Sequence, residues 1–360
     1  MGTFGCSSDT KEYSNEIRGA LGAAVKAEMD LTGAPAVIVG VWSQDGTWIG
    51  AMGKKDVSNA GALIAADDDF RVGSITKMFI ADVILQLSQE KKLDLDDLIV
   101  SYVENVPGSD NISIRDLLNH TSGLFDYTQD EDWSKAVADN LSSTWTPQQL
   151  VDIAVKHDPY FPPGQGWHYS NTNYIILGMI VESASGNTLS YNLRSRIINK
   201  LALTDTYLPD TTTLTGSYVH GYWMGPEGTA LTDATIENSG SWAWAAGGMV
   251  SNIYDLKAYV QAAATGRLMS PDMQEQRMRL IDTKQTYYGL PMQYGLGISK
   301  LGNMLGHDGF ITGYQNAAYT IPEKNITVVV CLTKSQPTQG SADELAIKLV
   351  NIVSPGAAGP

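Results

Sequence analysis

Phe70-Arg71-Val72-Gly73-Ser74-Ile75-Thr76-Lys77-Met78-Phe79-Ile80-Ala81-Asp82-Val83-Ile84-Leu85-Gln86-Leu87 is the stretch around which the 360-residue chain organises itself. A short extended segment, Phe70 to Gly73, gives way at Ser74 to a helical pattern. Met78, Ile80, Ala81, Ile84 and Leu85 leave almost no polar face, so this helix is expected to lie buried.

Outward from it, the N-terminal side reads as helix, strand, strand. Ile17, Leu21, Val25 and Met29 fall at helical spacing and place a helix over about 13–31. Ala36 to Trp42 is an apolar run of β character, and Asp45-Gly46 turns it into Thr47-Trp48-Ile49-Gly50. On the C-terminal side, residues from about 93 to 240 carry helices and long loops without strand periodicity. Strands then return at Tyr294 to Ile298, Gln315 to Thr320 and Ile326 to Leu332, with a turn at Pro322 to Asn325 and a helix near 342–353. The expected fold is α+β. An antiparallel sheet, flanked by the N- and C-terminal helices, is built from about 13–92 plus 241–353, and an all-helical subdomain of about 93–240 is inserted into it. Residues 13–360 then form one unit, with 1–12 as a tail and Pro355 to Pro360 disordered.

Hydrophobic residues make up 43% of the chain and charged residues 18%, the balance of an ordinary globular protein. A net charge of −15 repels phosphate backbones and argues against nucleic acid as a partner. The two cysteines, Cys6 and Cys331, are too few for a disulfide framework or a zinc site, and a bond between them has no support in the sequence. Cys6, after Thr3-Phe4-Gly5 and before Ser7-Ser8-Asp9, resembles a bacterial lipoprotein cleavage site. That reading expects a lost signal segment, an extracytoplasmic protein and a membrane tether through Cys6; a free cysteine in a polar tail weighs equally. Five scattered histidines, with no helical His-Glu-x-x-His pattern, predict no catalytic metal, and no glycine-rich phosphate loop predicts a cofactor.

Ser-x-x-Lys occurs at Ser8-Lys11, Ser74-Lys77 and Ser88-Lys91, and only the second opens a buried helix. Residues three apart share a helix face, so the Lys77 amine can reach the Ser74 hydroxyl. Burial lowers a lysine's pKa, and the neutral amine can take the serine proton. A helix cap with a snorkelling lysine would use the same two residues, and the triplet alone does not separate the readings. Tyr-x-Asn also occurs three times, at Tyr13, Tyr169 and Tyr314. Only Tyr169-Ser170-Asn171 sits between a Pro/Gly-constrained loop, Phe161 to Trp167, and an apolar helix beginning near Tyr174. Tyr169, polarised by Lys77, suits a proton shuttle. A buried tyrosine with a satisfied hydroxyl is the alternative. His307-Asp308-Gly309 is the single His-x-Gly. His307 is expected to hydrogen-bond Tyr169 or steer the substrate, or simply to pack, and Gly309 allows close backbone approach.

Together and in this order, these triplets resemble the penicillin-recognising serine hydrolases, which include DD-peptidases, class C β-lactamases, D-aminopeptidases and β-lactamase-like esterases. The resemblance extends through Leu117 to Leu124 with Asp126-Tyr127, Tyr169 to Tyr174, Ser241-Trp242-Ala243 with Ala246-Gly247-Gly248, and Tyr294 to Gly297. It is strongest to secreted D-alanyl-D-alanine carboxypeptidases, which carry His-x-Gly. It implies an acyl-enzyme on Ser74, proton transfer by Lys77 and Tyr169, and an oxyanion hole made by the Ser74 and Phe310 amides. Asn171 would hold Lys77 and the substrate amide, Trp242 would wall the pocket, and the substrate would be a D-amino-acid peptide, an ester or a β-lactam. The carboxypeptidases place hydroxyl residues where this chain has Asp308 and Phe310. The conflict between Asp308 and a substrate carboxylate is expected to be eased by strand alternation turning Asp308 away, or by Lys300 supplying positive charge. A D-aminopeptidase, an amidase, an esterase, a β-lactamase and a non-catalytic penicillin-binding sensor are the other members of the set.

Overall fold

The computed structural model describes residues 11–359 apart from 60–61, 211–213, 226–227, 229, 236–238 and 336–338. Cys6 and Pro360 lie outside the described residues.

Helix α1, Asn15–Thr32, starts where Ser14 Oγ accepts the Ile17 N–H at 3.3 Å and ends in a left-handed turn at Gly33. Its buried residues Leu21, Val25, Glu28 and Thr32 form one stripe. The sheet has eight strands: β1 Ala36–Trp42, β2 Thr47–Gly53, β3 Ile281–Tyr287, β4 Leu290–Tyr294, β5 Ser299–Leu301, β6 Met304–Ile311, β7 Tyr314–Ile321 and β8 Ile326–Leu332. They lie in the order β2-β1-β8-β7-β6-β5-β4-β3, antiparallel throughout. The two ends of the chain meet one strand in from the β2 edge, where Val37 pairs with Leu332 and Val41 with Val328.

β1 and β8 are buried at every position because both faces of the sheet are covered. Val37, Val39, Val328, Val330 and Leu332 pack in one core with residues of α1 and of the C-terminal helix Ala342–Val353. The alternate residues Ile38, Val329 and Cys331 enter a second core with the buried helix Thr76–Gln89, hereafter α2, and with most of the helical region. Cys331 is accordingly a buried free thiol. Every residue of α2 from Thr76 to Leu87 is buried. Against it packs a second apolar helix, Asn171–Ser185. Among the described residues between 93 and 240 the chain is helix and loop, except for a minimal hairpin that pairs Tyr222–Trp223 with Thr232–Asp233.

Three expectations need correction. Tyr294 to Ile298 is not a strand: β4 ends at Tyr294, and the chain turns through Gly297, whose φ is +69° and whose N–H bonds Leu118 O at 3.1 Å. Residues 355–359 are docked, not loose. Ala357 and Ala358 are fully buried, and Ala358 O accepts the Asn303 N–H at 2.8 Å, because small side chains fit against the β5–β6 turn. The tail is shorter than 1–12, since Lys11 O accepts the Thr47 N–H at 2.8 Å and so pairs with the start of β2.

Candidate active site

Ser74 lies in a single 3-10 turn, Gly73–Ile75, that leads into α2. The turn is pressed against β6. A Cβ on Gly73, whose φ is +59°, would sit 2.8 Å from the Phe310 backbone, and one on Gly309 would sit 2.0 Å from Val72 O. Glycine at both places is therefore what brings the backbone of Ser74 beside that of Phe310. β5 pairs with β6 only over Met304 to Gly306, so the following stretch of β6 turns that edge towards Ser74 rather than towards another strand.

Lys77, one helical turn on, is fully buried. Its Nζ lies 3.0 Å from Ser74 Oγ, 2.8 Å from Asn171 Oδ1 and 2.6 Å from Ala246 O. Burial lowers its pKa to about 7, against the opposing pull of the Asp126 and Asp308 carboxylates. The amine therefore reaches its neutral, proton-accepting form near neutrality while directed at the serine. Asn171 is oriented in turn: its Nδ2 donates to Asp126 Oδ2 at 3.0 Å and to Thr128 Oγ1 at 3.3 Å, leaving Oδ1 for Lys77.

Tyr169 is placed over this pair. Lys77 Nζ is 4.9 Å from its ring centre, His120 packs on it at 4.4 Å between ring centres, and it lines the same cavity as Ser74. Burial, reinforced by Asp308, pushes the phenol well above its ordinary value. Polarisation by Lys77 does not overcome this, so Tyr169 holds its proton and acts as a donor.

His307 departs from its expected partner. Its Nε2 is 2.9 Å from Tyr294 OH and its Nδ1 is 2.6 Å from its neighbour's carbonyl, Asp308 O. A carbonyl only accepts, so Nδ1 donates to it, and the Tyr294 hydroxyl is the partner of Nε2. The Tyr169 and His307 rings stand 6.2 Å apart, joined through the Tyr294 ring rather than by a hydrogen bond.

Ser74, Tyr169, Asn171, Trp242 and Phe310 line one cavity of ≈ 540 Å³, whereas His307 and Gly309 stand behind its wall. The helical region contributes an apolar side of Tyr127, Trp133, Val137 and Trp242, with Trp133 edge-on to both Tyr127 and Trp242. The sheet contributes Ser299, Leu301, Asp308 and Tyr319, and the C-terminal helix contributes Asp343. Strand alternation thus turns Asp308 towards the cavity rather than away. Lys300, between the wall residues Ser299 and Leu301, points to the opposite face and brings no charge to it.

Sequence reasoning missed the Ala246 carbonyl, Asp126 and Thr128, which hold Lys77 and Asn171, and it missed Asp343. Asp126 had a signal, since it stands in one of the stretches that carry the family resemblance. Ala246 stands in another such stretch, although a backbone carbonyl leaves no mark on residue type, and the Asp343 carboxylate, more than thirty residues after the last motif, had no signal.

A family model described as Beta-lactamase matches residues 21–352. The chain is 33% identical over 139 residues to penicillin-binding protein 4* of Bacillus subtilis, covering 38% of this chain and 30% of that protein. It is 25% identical over 301 residues to the D-aminopeptidase of Brucella ovis, covering 77% of this chain and 51% of that one. It therefore spans about half, or less, of these relatives. Among solved structures, a D-stereospecific amidohydrolase from a Streptomyces species superposes with a TM-score of 0.82 at 29% identity, covering 93% of this chain and 97% of that one. The D-amino acid amidase of Ochrobactrum anthropi SV3, complexed with D-phenylalanine, superposes with a TM-score of 0.81 at 25% identity, covering 94% and 98%. With the match running through nearly the whole sheet and helical region, this chain belongs to the beta-lactamase family of serine-hydrolase-fold proteins.

Proposed function

We propose that the protein is a serine amidohydrolase that forms an acyl-enzyme on Ser74 and acts on amides or peptides of D-amino acids. The observation that carries this reading is the buried Lys77 amine, 3.0 Å from Ser74 Oγ, with a pKa of about 7. Neutral Lys77 takes the hydroxyl proton as Ser74 Oγ attacks the substrate carbonyl. The carbonyl oxygen takes up negative charge against the Ser74 and Phe310 amides, a type of contact typically worth ~2.7–4 kcal/mol per donor. As the C–N bond breaks, Tyr169 passes its proton to the leaving nitrogen and is reprotonated by the Lys77 ammonium, which returns to its neutral form. Water then repeats the sequence in reverse, freeing the acid and Ser74. The relatives named D-aminopeptidase and D-amino acid amidase support the choice of substrate.

A carboxypeptidase on this scaffold would have to seat a free carboxylate, but the cavity wall presents two carboxylates and, among the described residues, no lysine, arginine or histidine. Comparing turnover of a D-amino acid amide, a D-Ala-D-Ala peptide, a p-nitrophenyl ester and a chromogenic cephalosporin tests the choice. Preference for the amide, abolished in Ser74→Ala, is the expected result. Faster turnover of the peptide, the ester or the cephalosporin would reassign the protein to a carboxypeptidase, an esterase or a β-lactamase. Penicillin labelling at Ser74 with no turnover of any of the four would make it a sensor. The same proposal includes an extracytoplasmic setting with Cys6 as a lipid anchor; incorporation of labelled palmitate, lost in Cys6→Ser, is its test.

A further inference from the structure

The acidic side of the cavity is unused by the chemistry just described. Asp308 reaches it from β6, and Asp343 reaches it from the first turn of the C-terminal helix. That turn is fixed in place: Ser341 caps it by accepting the Glu344 N–H at 3.0 Å, and buried Glu28 accepts the Ser341 N–H at 2.9 Å. One oxygen of Asp343, Oδ1, is shut off from solvent without a hydrogen bond of good geometry, the Tyr319 hydroxyl being the described group that faces the carboxyl. A buried acceptor left in this state is costly, and native structures seldom retain one without a purpose. Asp308 Oδ1 lies 3.2 Å from His307 Nδ1, whose hydrogen bond goes to the Asp308 carbonyl, so most of the carboxyl's acceptor capacity faces the cavity.

A helix N-terminus by itself would attract an anion. Here the Asp308 carboxylate opposite already supplies negative charge to that position, and Asp343 lies within the turn beside it. With Lys300 turned to the other face, no described basic side chain lines the wall itself, and only His307 and Lys77 behind it act on Asp308. The strain shows in Asp343, whose carboxyl is pushed well up by burial and by the charge on Asp308. A cation placed between the two would relieve both the repulsion and the unpaired oxygen. An ammonium group, with three donors and no acceptor, has the matching chemistry.

We propose that the Asp308–Asp343 wall is a subsite for a protonated amine of the substrate, so that amides and peptides carrying a cationic nitrogen at that end are the preferred substrates. The proposal rests on the Ser74 acyl-enzyme reading. The cation comes from the α-amino group of the D-residue or from the leaving amine, and two pairs of compounds separate these sources. One pair is D-phenylalanine amide and N-acetyl-D-phenylalanine amide. The other is the ethylenediamine and n-propylamine amides of N-acetyl-D-phenylalanine, which differ by a charge on the leaving group.

The charged member of at least one pair is expected to have a kcat/KM about tenfold or more above its neutral partner, the value of one charge-assisted hydrogen bond. Asp343→Asn and Asp308→Asn should each reduce that preference about tenfold. Equal kcat/KM within both pairs for the wild-type protein overturns the subsite, and that comparison needs no folded variant. Survival of the full preference in both variants overturns it as well. Ser74-dependent hydrolysis of p-nitrophenyl acetate, run alongside, separates the two levels: if the ester is hydrolysed while neither pair discriminates, the nucleophile stands and the subsite falls. If neither ester nor amide is hydrolysed, both fall.

Discussion

Lys77 ties the local geometry to a measurable pH dependence. Only its neutral form can take the Ser74 proton, and burial brings its pKa to about 7. Below that value the neutral fraction falls tenfold per pH unit, so acylation at pH 5 should run about a hundredfold slower than on the plateau above pH 8. Tyr169 does not add a second limb in this range, because its phenol is pushed well above 10. The profile should therefore be a single rise. Asp126, which accepts from Asn171 behind Lys77, is the largest charge holding the lysine's pKa up against burial. Asp126→Asn keeps an oxygen for Asn171 but removes the charge, so the midpoint should move to lower pH. The assay is kcat/KM for a p-nitrophenyl ester from pH 5 to 9, corrected for spontaneous hydrolysis, because kcat/KM reports the free enzyme. A flat profile over this range, or a midpoint that moves to higher pH in Asp126→Asn, would refute Lys77 as the base. The same group links to stability. Its folded pKa lies below its unfolded one, so the unfolded chain binds the extra proton between about pH 7 and 10.5, and this group's contribution to stability rises with pH across that window.

Two further substitutions probe the site from different sides. Gly309→Ala drives a methyl group to 2.0 Å from Val72 O, so β6 must move away from the Ser74 turn. Overpacking of this kind costs about 1–3 kcal/mol, and a lowered Tm together with a loss of kcat is expected, whereas unchanged kcat would show that the oxyanion amides lie elsewhere. Tyr169→Phe keeps the ring that packs on His120 and removes the proton donor. Amide turnover should fall about 10²- to 10⁴-fold while an ester, whose leaving group needs no proton, falls much less; equal losses on both would argue against proton donation to the leaving nitrogen.

Much of the fold was legible because its signals are local. The helix of α1 shows in the spacing of Leu21 and Val25, the first hairpin in Asp45-Gly46, and β7 and β8 in their apolar runs. The β3–β4 hairpin was not legible. It lies at the sheet edge, where Asp282, Lys284 and Gln285 face solvent and a register shift between Asp282 and Gln285 breaks the alternation. The turn at Gly297 was read as a strand because its glycines are interleaved with Leu296 and Ile298, as in a strand. A contact to Leu118, far away in sequence, is what bends it.

The sequence by itself determined which side chains could do chemistry: Ser74 three residues before Lys77 on a helix with no polar face, Tyr169 and Asn171 at the mouth of a second apolar helix, and a His-x-Gly on a late strand. Spacing along one helix is a local property, so the reach of Lys77 to Ser74 followed from periodicity, while the other triplets and the family resemblance separated a nucleophile from a helix cap. What each group does there was decided by tertiary structure, because pKa and charge balance depend on neighbours that are distant in the chain. Burial makes Lys77 a base at neutral pH and keeps Tyr169 protonated, and Tyr294 rather than Tyr169 takes up His307. The pleat of β6 faces Asp308 into the cavity, and the C-terminal helix sets Asp343 on the same wall. That meeting of two carboxylates 35 positions apart has no trace in any motif, and it is what turns the choice of substrate from a carboxylate towards a cation.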